Sequence, residues 1–106
     1  MSAFTLDSLA SLIASRAAAP SDTSYTRSLL DGGIARSTKK FGEEAFELVI
    51  AAMERDRTAI KNEAADVLYH LLVVLQAGSV SLQDVISELE RRTLRSGHEE
   101  KASRKE

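Results

Sequence analysis

From Arg57 to Ala77 the chain reads as one helix, and beyond Asn62 it is apolar on nearly every side. Leu68, Leu71, Leu72, Val73, Val74 and Leu75 crowd one short stretch of it. A helix that is apolar all round belongs at the centre of its fold, so this one is expected to be the most buried of the domain. Gly78 ends it. Glu63, Asp66 and His70 are spaced to share one of its faces. Asp66 is the residue that fits worst. Aspartate is a poor helix former, its neighbours are Ala64, Ala65, Val67 and Leu68, and no basic residue lies within one turn. An unpaired carboxylate buried there would cost on the order of several kcal/mol. It needs a partner from another part of the chain or from outside it.

The rest of the chain has the same helical grain. Leu6, Leu9, Leu12 and Ile13 recur at helical spacing between Thr5 and Ala18, with Thr5 or Asp7 as cap and Pro20 as stop. A short helical turn capped by Ser24 precedes the Gly32-Gly33 break. A long helix follows from Ile34 to Arg55. On a wheel it places Phe41, Ala45, Leu48, Val49 and Ala52 on one side, with Phe46 and Met53 at the edge. Arg36, Lys40, Glu43, Glu44 and Glu47 fall on another side. Gly42 sits inside this helix at a cost of about 1 kcal/mol relative to alanine. That implies either tight helix packing or the close approach of a ligand or another backbone. Asp56 is the expected cap of the apolar helix. Ser81-Leu82-Gln83-Asp84 resembles a capping box for a last helix whose stripe is Leu82, Val85, Ile86 and Leu89. No strand-like alternation occurs. The expected architecture is all-α: four to five helices, two of them long and antiparallel, in one domain over residues 1–94. Residues 95–106, almost without apolar side chains, are expected to form a disordered charged tail.

Composition narrows the function. A net charge of −2 gives no overall footprint for nucleic acid. The absence of cysteine excludes disulfides, thiolate metal sites and cysteine nucleophiles. The longest nearly apolar run is too short and too polar to span a bilayer. No targeting segment is evident, so a soluble cytoplasmic protein without nucleic-acid or membrane partners is expected.

Glu43, Glu44 and Glu47 form a second acidic patch on the helix before Asp66. Glutamates on helices are often simply solvated, and these three could pair with Arg36 and Lys40. If the two long helices pack side by side, however, five carboxylates converge. A divalent cation would relieve their repulsion. With only oxygen donors, Mg²⁺ or Mn²⁺ fits better than Zn²⁺. His70 can be a ligand, a proton carrier or a satisfied core residue. Mg²⁺ held by few carboxylates keeps water and binds phosphates. Arg27, Arg36, Lys39, Lys40 and Lys61 surround this region as a polyphosphate substrate would require. A helical dimerisation module with an acidic patch is the non-enzymatic alternative.

Three segments carry a resemblance to a known family. They are Ser24-Tyr25-Thr26 with Leu29-Leu30, Lys39-Lys40-Phe41-Gly42-Glu43-Glu44-Ala45-x-Glu47, and Glu63-Ala64-Ala65-Asp66-Val67-Leu68-Tyr69-His70-x-Leu72. Together they resemble the phosphoribosyl-ATP pyrophosphatases of histidine biosynthesis. The paired acidic motifs alone are shared with the wider all-α, MazG-like nucleotide pyrophosphohydrolases and dimeric dUTPases. The resemblance implies Mg²⁺-dependent hydrolysis of phosphoribosyl-ATP to phosphoribosyl-AMP and pyrophosphate by a homodimer with composite sites. A MazG-like hydrolase of other nucleoside triphosphates is the alternative. On this basis Glu43, Glu44, Glu47, Glu63 and Asp66 are expected to hold metal or position water. Glu44 or Glu47 would act as base, and Lys39, Lys40 and Arg27 would bind phosphate.

Overall fold

A computed structural model of the chain describes residues 3–19 and 24–94. They form five helices in the order α1 (Leu6–Ala17), α2 (Tyr25–Asp31), α3 (Gly33–Met53), α4 (Arg57–Ala77) and α5 (Leu82–Thr93), with no strand among the described residues. Pro20 and the charged segment 95–106 lie outside them.

Helix starts follow local chemistry. Thr5 caps α1 in a reciprocal capping box with Ser8. Ser24 accepts from the Arg27 amide, Asp56 from that of Ala59, and Ser81 from that of Asp84. Helix ends are less orthodox. Gly78 closes α4 with φ −90, and the left-handed residue is Ser79, at φ 59. The turn between α3 and α4 likewise places Arg55 at φ 58. Among the described residues, Gly33, at φ 80, is the one glycine whose backbone demands glycine.

The α3–α4 hairpin is the frame of the molecule. Its short turn makes the two long helices antiparallel neighbours. α1 and α2 lie against it, and α5 leaves α4 at 110°. Ile13, Leu29, Leu72 and Val73 form the buried cluster, with Leu9, Leu30, Tyr69, Leu75 and Leu82 packed around it.

Which faces turn inward differs from the helical-wheel reading. On α3 the buried residues are Ser37, Glu44 and Ala51, seven apart, so the seam runs along the face read as polar. The apolar stripe is left outside: Phe46 is 66% exposed, Val49 56% and Met53 79%. Gly42 belongs to the same outer stripe, and a Cβ built on it meets nothing within 4 Å. Tight packing among the described residues does not account for this glycine. α4 is also less enclosed than its composition suggests. His70, Leu72 and Val73 are buried, whereas Leu68 and Asp66 are exposed. α5 buries none of its residues. No single described helix is long and apolar enough to cross a membrane.

Candidate functional site

The hairpin brings the two acidic motifs together. Glu44 from α3 and Glu63 and Asp66 from α4 each offer an oxygen, all within 4.8 Å of one another. Glu47 lies beside them and hydrogen-bonds to the Glu44 and Glu63 carboxyls. Glu43 does not join. It is exposed and lies 3.7 Å from Lys40. Lys40 also lies 3.7 Å from Glu44. The cluster therefore has a core of three carboxylates, a fourth at its margin and one lysine at its edge.

Desolvation is distributed differently from the expectation. Asp66 is exposed, so the cost of burying a charge falls on its neighbours instead. Glu44 is only 9% exposed, and Glu63 has a fully buried Oε1 with no hydrogen-bond partner. Burial is the largest cause raising both carboxyls above the usual range. Hydrogen bonding with Glu47 and the charges of Glu47 and Asp66 act in the same direction on Glu44. His70 opposes them there. An orphaned buried oxygen among converging carboxylates is the environment a hard divalent cation satisfies. The donor set, oxygen only, suits Mg²⁺ or Mn²⁺.

His70 is buried in the seam. Its Nδ1–H donates to the Asp66 carbonyl at 2.8 Å, and its Nε2 is buried and without a partner. The ring stands edge-on to Tyr69, with centroids 5.0 Å apart, and Tyr69 stacks on Tyr25 at 6.3 Å. The Tyr69 hydroxyl is hydrogen-bonded to Thr26. Tyr25 and Thr26 on α2 are thus locked to Tyr69 and His70 on α4. The family resemblance marked these segments as distinctive without revealing that they touch.

Next to the carboxylates, α2 and α3 enclose a pocket of about 440 Å³ lined by Tyr25, Leu29, Arg36, Lys39, Lys40 and Glu43. Tyr25 comes first among the groups that hold the Lys40 ammonium above its ordinary value, and Glu43, Glu44 and Glu47 add to it; partial burial opposes them. Arg27 is not in this pocket. Its guanidinium donates to the carbonyls of Ala17 and Ala19 at 2.9 and 2.6 Å and to Asp31 at 2.8 Å. It fastens the end of α1 to α2 with three of its five N–H donors, outside the lining of this pocket.

The phosphoribosyl-ATP pyrophosphohydrolase family profile matches residues 6–93. The chain belongs to that family. The phosphoribosyl-ATP pyrophosphatase of Methylobacterium radiotolerans is 57% identical over 105 residues, covering 99% of this chain and 98% of the relative. That of Agrobacterium fabrum is 56% identical, covering 98% and 97%. Phosphoribosyl-ATP pyrophosphatase 1 of Bradyrhizobium diazoefficiens is 55% identical over the whole of both chains. In this phosphoribosyl-ATP pyrophosphohydrolase-family chain, α3 joins the acidic cluster, which it shares with α4, to the basic pocket, which it shares with α2.

Proposed function

We propose that the chain hydrolyses phosphoribosyl-ATP to phosphoribosyl-AMP and pyrophosphate, the second step of histidine biosynthesis, in the cytoplasm and with Mg²⁺ (or Mn²⁺). The observation that carries this reading is the convergence of Glu44, Glu63 and Asp66, one with an orphaned buried oxygen, beside a pocket rich in cations. Those three carboxylates would hold the cation. When bound, it would supply positive charge to the polyphosphate and to the pyrophosphate leaving group. Glu47, outside the three but hydrogen-bonded to two of them, would orient the attacking water and take its proton. Glu44 is the other candidate base. Lys40, at the edge of the cluster, and Lys39, in the pocket, bind phosphate oxygens.

The working form is a homodimer. Five apolar residues make up the buried core among those described, a small one for a chain of this length. Meanwhile Phe46, Val49, Ile50 and Met53 line an outward face of α3. A second copy covering that face would enlarge the core and complete the sites.

The test is pyrophosphate release from phosphoribosyl-ATP and from a panel of nucleoside triphosphates, with Mg²⁺ and with chelator. Turnover of phosphoribosyl-ATP that stops on chelation is expected. Strong turnover of dNTPs with none of phosphoribosyl-ATP would instead make this a hydrolase of MazG-like specificity. Restored growth of a histidine auxotroph lacking this step is the cellular counterpart.

A further inference from the structure

We propose that Arg36, with Lys39, forms the seat for the phosphate monoester at the far end of the substrate, the 5′-phosphate of the phosphoribosyl arm. Arg36 is then the residue that distinguishes phosphoribosyl-ATP from ATP. The proposal rests on the activity proposed above and assigns one end of its substrate.

Three observations support it. The first is charge. Of the three cations lining the pocket, Lys40 is shared between Glu43 and Glu44, each at 3.7 Å. Arg36 and Lys39 make no ion pair among the described residues. Two uncompensated positive charges line one cavity, and a phosphate monoester carries about −1.5 to −2 at neutral pH. The planar guanidinium fork suits two of its oxygens at once.

The second is direction. The Arg36 stem lies back across Gly32: a Cβ built on Gly32 would collide with Arg36 Cβ, 2.8 Å away, and with its Cδ. Side chains on a helix already lean toward its N-terminus. Arg36 therefore extends away from Glu44, from which it is separated by about 12 Å of helix rise. The triphosphate, whose α–β link must lie at the carboxylate cluster, is not the natural occupant of the far end. Phosphoribosyl-ATP carries a second phosphate on a separate arm attached to its base, and that arm extends away from the reacting link.

The third is the wall. Leu29 is buried, and Tyr25 is held by its stacking on Tyr69. They give the pocket a fixed apolar side for a ribose ring. Its volume of about 440 Å³ is within the range of small-molecule sites. Gly32 is a positioning residue here. Its backbone is right-handed, at φ −78, so alanine is allowed there conformationally. The added methyl acts by displacing Arg36.

The experiment compares AMP, phosphoribosyl-AMP and pyrophosphate as inhibitors of pyrophosphate release from phosphoribosyl-ATP. The proteins are wild type, Arg36→Gln, Arg36→Lys and Gly32→Ala, with thermal melts as the check on folding. In wild type, phosphoribosyl-AMP is expected to bind more tightly than AMP. Arg36→Gln should weaken phosphoribosyl-AMP by about tenfold, the size of one lost charge-assisted hydrogen bond, and leave AMP and pyrophosphate nearly unchanged. Arg36→Lys should recover part of the loss, and Gly32→Ala should reproduce it. Equal weakening of AMP and phosphoribosyl-AMP, weakening confined to pyrophosphate, or no change would each overturn the assignment. If wild type hydrolyses phosphoribosyl-ATP and the discrimination survives Arg36→Gln, only this inference falls. If wild type releases no pyrophosphate from phosphoribosyl-ATP, the proposed activity falls and takes the inference with it.

Discussion

Glu63 and Asp66 sit one turn apart on α4, yet one hides an oxygen and the other faces solvent. Asp66 makes no ion pair among the described residues, so Asp66→Asn should fold normally. Loss of the groups that merely orient a metal ligand costs about 10–100-fold. Removing a ligand's charge should cost at least about a hundredfold in pyrophosphate release, with an unchanged melting curve. Full activity would remove Asp66 from the metal site. The buried pair gives a pH signature. Glu44 and Glu63 titrate above their ordinary value of 4.5 in the folded chain, chiefly because burial penalises their charge. The folded state then holds protons that the unfolded state has released. Metal-free protein should lose stability as pH rises from about 4.5 through those raised values, and Mg²⁺ should flatten the slope. Thermal melts with chelator and with Mg²⁺ measure both, and a metal-free stability that climbs toward neutral pH would contradict the idea. At this scale the sequence was readable where chemistry is local. Asp66's isolation from basic neighbours was visible, but its exposure was not, because exposure depends on how α4 is rolled against α3. Arg27's bonds to α1, eight and ten residues back, were equally out of reach of helical spacing.

The helices themselves show why periodicity located elements better than it oriented them. Caps at Thr5, Ser24, Asp56 and Ser81 are short-range hydrogen bonds, and each stands where the residue pattern put it. The apolar stripe of α3 was equally plain, but a stripe states only that a face wants covering, not what covers it. Within the chain the covered face is that of Ser37, Glu44 and Ala51. α5 buries none of its residues fully and carries a local charge network at its end. Glu88 accepts from Arg91 at 2.6 and 3.1 Å and from Arg92 at 2.9 Å. These bonds pull its carboxyl down to about 2. Since that pKa is depressed, the contribution is complete above 4.5 and is lost as pH falls toward about 2. Glu88→Gln should lower helicity slightly at neutral pH, as for any exposed pair. The difference from wild type should vanish at the acid end of a circular-dichroism titration. A difference independent of pH would show that the ion pairs do not matter.

Across the whole molecule, a small core coexists with large apolar side chains on the outside. Phe46→Lys should convert the proposed dimer to monomer in sedimentation equilibrium, since a lysine there must be desolvated at the interface. Activity per chain should fall with the fraction dissociated. An unchanged mass at micromolar concentration would place the interface elsewhere. The α3–α4 hairpin carries another implication, one of timing. All three carboxylates of the cluster belong to it, joined through the short turn at Arg55. Contacts of such low sequence separation form early, before more distant segments have found their places. A nascent chain whose α5 is still unmade already holds every carboxylate of the cluster, so the acidic cluster can assemble before the last helix arrives rather than wait for it.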